Sequence, residues 1–262
     1  MGKFVDELPS NMTESTDLSE FETAYWKSGY KMPLKWVVNR FWTTPEAVEY
    51  YQAMNLSKGK IVLSKDEYES VEKAKELVLA SPFAYDYFTA SRTWVELTHQ
   101  VPIYFTYRGF ECKALLDGIK IDHKNKIIHP FDLKTTGKSV LDFEDSFLHY
   151  GYYRQCAMYE LALYSEESPV KDLLRDGYTM NDFVFIVVET KLSSTNPALI
   201  YRTTKSTRQA GVNGGKYNGK YYKGIDQLLD ELSWHINTNN WTYTKSVYEN
   251  KGVIDLDLFE NN

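Results

Sequence analysis

Cysteine is nearly absent: only Cys112 and Cys156 occur, far apart and without a Cys-x-x-Cys spacing. A four-cysteine zinc or iron–sulfur site therefore cannot be built within one chain, and buried free thiols are expected. No run of 18 apolar residues occurs, and the opening MGKFVDELPSNMTESTDLSEFE lacks the apolar core of a secretory signal. No membrane association is expected, and an intracellular, cytoplasmic location is. Basic charge is also short. The net charge of −6 provides no global field for nucleic acid, although a local basic groove can coexist with an acidic remainder. With 14 Gly and 8 Pro in 262 residues, the composition is that of a globular protein large enough to bury a core. Tyrosine is the one excess, at 21 residues. It fills cores, and it also suits surfaces that stack on bases.

Residues 1–22 are polar and read as a mobile arm, leaving 23–262 as a single domain with a core at about 60–190 and a C-terminal elaboration over 191–262. Thr44 and Pro45 open a helix through TPEAVEYYQAM. A stronger helix runs over 64–88, started by a Ser64/Glu67 capping box and broken near Pro82. The period then changes. Segments 93–109, 110–122 and 126–136 read as three strands of an antiparallel meander. Residues 146–164 are helical, and 181–191 is an apolar run expected to be a central strand buried on both faces. Residues 206–224 read as a Gly-, Lys- and Tyr-rich flexible loop, and 225–237 as an amphipathic helix. The sum is an α/β fold, a mixed sheet (antiparallel meander plus central strand) flanked by helices.

The chemistry concentrates in HPFDLKTTG, residues 129–137. Period-2 alternation puts Asp132 and Lys134 on one face and Phe131 and Leu133 on the other. If the preceding turn is centred on Lys124-Asn125 with two or four loop residues, paired positions sum to 249. Asp117 then lies opposite Asp132, and Lys134 opposite Leu115. Facing carboxylates repel, burial raises at least one pKa, and a divalent cation removes the conflict. Oxygen ligands without clustered His or Cys suit Mg²⁺ or Mn²⁺. Lys134 cannot ligate while charged, so its role is to orient an attacking water or stabilise charge on a phosphate. In 206–224, Lys216, Lys220 and Lys223 alternate with tyrosines, as in a clamp that neutralises phosphates and stacks on bases.

Asp117 followed by Asp132-Leu133-Lys134 resembles the PD-(D/E)XK nuclease superfamily, whose restriction-endonuclease-like fold is a mixed sheet flanked by helices. CKALLDGIKID and IIHPFDLKTTG are similar to its RecB-like branch, which includes lambda-type and RecE-type phage exonucleases. The branch's Q-x-x-x-Y helix is matched by Gln155 and Tyr159 in QCAMY. The resemblance spans roughly residues 60–190. It implies a Mg²⁺-dependent exonuclease acting on linear DNA in phage-type recombination or DNA processing. The implied metal ligands are Asp117, Asp132 and the Leu133 carbonyl, with Glu96 the best stand-in for the family's upstream ligand, ahead of His99 and Glu72. Lys134 is the implied catalytic lysine. Gln155 and Tyr159 would hold the substrate strand, Tyr152 would stack on a base, and Arg92, Lys113, Lys138 and Arg154 would meet phosphates. The cluster-bearing members need four cysteines, so no iron–sulfur cluster is expected. A recombinase or single-strand-binding protein as partner, and an oligomer, are compatible with the resemblance. A structure-specific or restriction-type endonuclease, and an inactive DNA- or partner-binding relative, remain as alternative readings.

Overall fold

The computed structural model describes residues 7, 17–39, 45–57 and 59–254. The chain divides into two compact units, residues 1–68 and 69–262. In the first, α1 spans Leu18–Ser28, where the Asp17 carboxylate caps the Ser19 N–H at 2.9 Å and Phe21, Ala24 and Tyr25 are buried. This helix corrects the expected arm for residues 18–22; residues 1–6 and 8–16 lie outside the described residues. Next come α2 (Leu34–Val37) and α3 (Pro45–Leu56). Pro45 starts α3 as expected, while the Thr44 cap lies outside the described residues.

The division falls within α4 (Lys65–Ala80). Its capping box is formed: Ser64 Oγ accepts from Glu67 N at 3.3 Å, and Glu67 Oε2 accepts from Ser64 N at 2.7 Å. Ser81 then caps the short α5 (Pro82–Tyr85). The meander is β1 (Val95–Tyr107), β2 (Phe110–Asp122) and β3 (Ile127–Thr136). It leads to α6 (Phe143–His149), α7 (Tyr152–Leu163) and α8 (Lys171–Arg175), so the helix expected over 146–164 is broken. The break is at Gly151, whose φ is +69°. Then follow β4 (Thr179–Met180), β5 (Val184–Glu189), β6 (Leu199–Arg202), α9 (Lys205–Asn213), β7 (Gly215–Tyr217), β8 (Lys220–Tyr222), α10 (Ile225–Thr238) and α11 (Lys245–Glu249). Segment 206–224 is therefore mostly helix and hairpin, not a flexible loop. Among the described residues, no helix is long and apolar enough to cross a membrane.

The six-stranded mixed sheet runs β1-β2-β3-β5-β6, with β4 beside β3. β5 is the expected central strand: it pairs with β3 in parallel and β6 antiparallel, and all six of its residues are buried. Its alternation sorts two cores. Phe185 and Val187 pack with Ile119, Ile121, Ile128 and the α7 residues Cys156, Tyr159 and Leu163. Val184, Ile186 and Val188 pack with Phe131, with Ala74 and Leu77 of α4, and with Ala84 of α5. Helices thus cover both faces, as the alternation of apolar strand residues requires.

The meander ladder pairs Ile121 with Ile128 and Gly118 with Phe131, both summing to the expected 249. The ladder between β2 and β3 ends there. Beyond it β3 follows β5, with Asp132 beside Phe185 and Lys134 beside Val187. Lys134 is accordingly not opposite Leu115. A second irregularity lies at the same level. Ala114 and Leu116 share a core with Ile119 and Ile121, so β2 reverses faces between Leu116 and Ile119. β1 reverses with it, because the pairing is Val101 to Leu116 on one side of the step and His99 to Gly118 on the other. Gln100, at φ +52°, is the β1 residue at that step.

Candidate active site

The strand fork gathers three charged side chains. Asp117 Oδ2 accepts from the Leu133 N–H at 2.9 Å, and its Oδ1 accepts from Gln100 Nε2 at 3.1 Å. The first acid therefore meets β3 at the peptide joining Asp132 to Leu133, not across a continuing ladder. Asp132 is only 2% exposed. Its Oδ2 lies 2.5 Å from Lys134 Nζ, close enough for an ion pair. The ammonium is the close partner of this buried oxygen. Burial pushes the Asp132 carboxyl above the ordinary range. Lys134 opposes that shift and the Asp117 charge adds to it.

Lys134 is held by rings. Its Nζ sits 4.6 Å from the Tyr152 ring centre and 5.6 Å from that of Phe185. Such faces hold an ammonium without supplying a counter-charge. Tyr152 is itself stacked on Phe143, with centroids 5.7 Å apart. Its ring is thus part of the lysine's seat and is not a free platform for a base.

Helix α7 supports the site from behind. Gln155 Nε2 donates to Tyr159 Oη at 2.8 Å, and Tyr159 Oη donates to the Leu115 carbonyl, also at 2.8 Å. Spacing of four on a helix sets this pair side by side. The pair anchors β2 two residues before Asp117. Burial, with the Asp132 charge, pushes the Tyr159 hydroxyl up to about 12, so it stays a donor at neutral pH.

The remaining expected residues divide. Glu96 pairs with Ile121 in the ladder and bonds His123 Nε2 at 3.2 Å. That level is ~13 Å along the strand from Asp117, at about 3.3 Å per residue, so Glu96 is not brought to the site. Glu72 is tied to Lys75 at 3.1 Å on α4. His99, opposite Gly118, has its ring edge-on to Phe131. Among the described residues no three His, Cys, Asp or Glu gather as a metal cluster. Lys113 lies over the Tyr104 ring and Arg92 over Trp94, both away from the fork. Lys138, Arg154, Lys220 and Lys223 do converge, on one cleft between the α6–α7 turn and the β7–β8 hairpin. Lys216 lines a neighbouring cavity. Gln100 was not foreseen, and nothing in its sequence neighbourhood marks a glutamine with positive φ. Glu189 was not foreseen either. It is buried at the end of β5 and accepts from Val140 N at 2.9 Å and Asn196 Nδ2 at 2.8 Å.

No protein-family model matches this chain, and no curated protein matches it. Among solved structures, a "putative exonuclease" from Eubacterium rectale aligns over 88% of this chain and 74% of its own, with a TM-score of 0.41 and 14% identity. So slight a likeness carries no weight for the chemistry.

Proposed function

We propose that this chain is a divalent-metal-dependent nuclease of the PD-(D/E)XK type, hydrolysing phosphodiester bonds of linear DNA from an end. The observation that carries the reading is the fork itself: Asp117 and Asp132 converge there, and the buried Asp132 Oδ2 has the Lys134 ammonium 2.5 Å away as its ion-pair partner. One ammonium leaves lone pairs on the two carboxylates for a cation to take. Two carboxylates, with no third acid or histidine gathered there among the described residues, fit Mg²⁺, which takes one or two carboxylates and keeps several waters. Asp117, Asp132 and the Leu133 carbonyl would hold the ion. When bound, it supplies Lewis acidity at a phosphate oxygen and lowers the pKa of a water.

The chain's own groups supply the rest. Lys134, fixed over two rings, directs an N–H toward the attacking water or toward charge developing on the phosphate. Gln155 and Tyr159 fix β2, and through it Asp117, and Gln100 holds the other side of that carboxylate. The decisive experiment measures loss of end-labelled linear DNA with Mg²⁺ and with EDTA, using closed circular DNA as the endonuclease control. Linear DNA should be degraded only with Mg²⁺, circular DNA should survive, and Lys134→Ala should lower kcat with metal affinity largely kept. Unchanged turnover in Lys134→Ala would refute the assignment.

A further inference from the structure

We infer that the cleft between the α6–α7 turn and the β7–β8 hairpin holds an unpaired nucleic-acid strand leading to Lys134, an inference that rests on the nuclease reading. The cleft encloses about 750 Å³, and four cations line it: Lys138, Arg154, Lys220 and Lys223. Two of these are already engaged. Lys223 is ion-paired with Glu231 at 2.7 Å, and Arg154 packs on Tyr153 and donates to the Lys223 carbonyl. Among the described residues neither Lys138 nor Lys220 pairs with a carboxylate; Lys220 Nζ lies 5.3 Å from the Tyr222 ring centre, which supplies no counter-charge, so both keep charge for a polyanion. Asp145 also lines it and leaves the lining cationic on balance. On a chain of net charge −6, such a site decides where a polyanion docks.

Charge alone would not separate a single strand from a duplex; the tyrosines do. Tyr150 is 65% exposed and Tyr221 49% exposed, and both line the cleft. Rings of this size left in water beside lysines are platforms for bases, and only unpaired bases offer a free π-face. The platform also has a direction. The Tyr150 ring lies 5.7 Å from Tyr152, whose face carries Lys134 Nζ. A base stacked on Tyr150 would thus be one ring away from the catalytic lysine's seat. The hairpin wall is fastened on both sides: Tyr217 donates to Glu144 of α6, and Tyr153 of α7 donates to the Lys223 carbonyl at 2.8 Å. The cleft is therefore a built wall and not a loop gap.

The test is fluorescence anisotropy of the full chain in EDTA, with labelled oligo-dT and a blunt duplex of equal length across a salt series. Tyr150→Ala should weaken oligo-dT binding at least about fivefold, while Tyr150→Phe, which keeps the ring, should bind as wild type. Lys138→Ala with Lys220→Ala should lower the salt slope by about 1.4, at about 0.7 per lost single-strand contact. Duplex binding should be weaker and indifferent to Tyr150. The inference is overturned if Tyr150→Ala and Tyr150→Phe bind oligo-dT alike, or if duplex and single strand respond equally. Because EDTA removes cleavage from the readout, the two readings fail separately. If Tyr150→Ala loses oligo-dT binding while the wild type shows no Mg²⁺-dependent cleavage, the cleft stands and the nuclease reading falls; Mg²⁺-dependent cleavage by the wild type with binding unaltered in Tyr150→Ala does the reverse.

Discussion

Burial raises the Asp132 carboxyl, Lys134 draws it back, and the Asp117 charge raises it further, with the net shift upward. In the metal-free chain the ionised form therefore costs folding free energy. That cost is absent below the unfolded-state value, about 3.9 for Asp, and is complete once the pH exceeds the higher folded-state value. A cation competes with the proton for the same oxygen, so metal affinity falls as the pH drops through that raised value, by up to about tenfold per pH unit for one displaced proton. We expect the acid limb of the pH–activity profile to lie above the ordinary Asp range and to move to lower pH as Mg²⁺ is increased. Profiles at several Mg²⁺ concentrations check this, and an acid limb indifferent to Mg²⁺ would count against Asp132 as a ligand. At this scale the sequence was informative where a period carries the information. Alternation along 131–134 separates Asp132 and Lys134 from Phe131 and Leu133, and the turn at 123–126 sets the sum of 249. Gln100 depends on a face reversal in two paired strands, which no periodicity of either strand alone announces, and Glu96 falls outside the site because the ladder sets it at the level of Ile121.

Among the elements, α9 shows what a glycine-rich segment conceals. A Cβ built on Gly211 would lie 2.1 Å from the Tyr153 carbonyl oxygen of α7 and 2.5 Å from Ala157 Cβ. The two helices therefore approach backbone to backbone at Gly211. Gly211→Ala should destabilise by about 1–3 kcal/mol through overpacking, outweighing the ~1 kcal/mol that Ala gains in a helix. Gly137→Ala, which meets nothing within 4 Å, is the control and should be near neutral in the same urea titration. Reading 206–224 as flexible counted its glycines as freedom, yet Gly211 is a packing requirement. The Asn218-Gly219 pair, with φ of 47° and 75°, is the turn of a hairpin. That signal was legible, since Asn-Gly between short strands favours a type I′ turn. Strands β4 and β6 were not legible: at two and four residues they are too short to show alternation and form because β3 and β5 offer edges. Glu189 is a further anchor. Glu189→Ala leaves the Val140 N–H without its partner and should cost about 1–3 kcal/mol by urea denaturation, with the loop after β3 loosened first.

At the scale of the molecule, both apolar clusters around the sheet draw on residues from Ala74 onward. A chain beginning at Ile61, which keeps the Ser64/Glu67 box, should therefore unfold cooperatively; a non-cooperative thermal transition would show that residues 1–60 are needed for the core. The overall order of helices, meander and buried central strand was readable because each has its own period, whereas the division inside α4 leaves no mark in a continuous amphipathic helix. The fork has one more consequence, in the order of assembly. β2 and β3 are joined by a four-residue turn, while β3 and β5 are brought together only after the chain between Thr136 and Val184 closes. Loop closure grows costlier with length and non-local pairing is slow. The two carboxylates therefore meet in a hairpin that forms early, and Lys134 gains its ring seat on Phe185 late. Substitutions in the β2–β3 hairpin should slow folding, and truncations in β5 should mainly speed unfolding. Stopped-flow kinetics would then place the acids in the folding nucleus and the lysine's seat among the last parts to close.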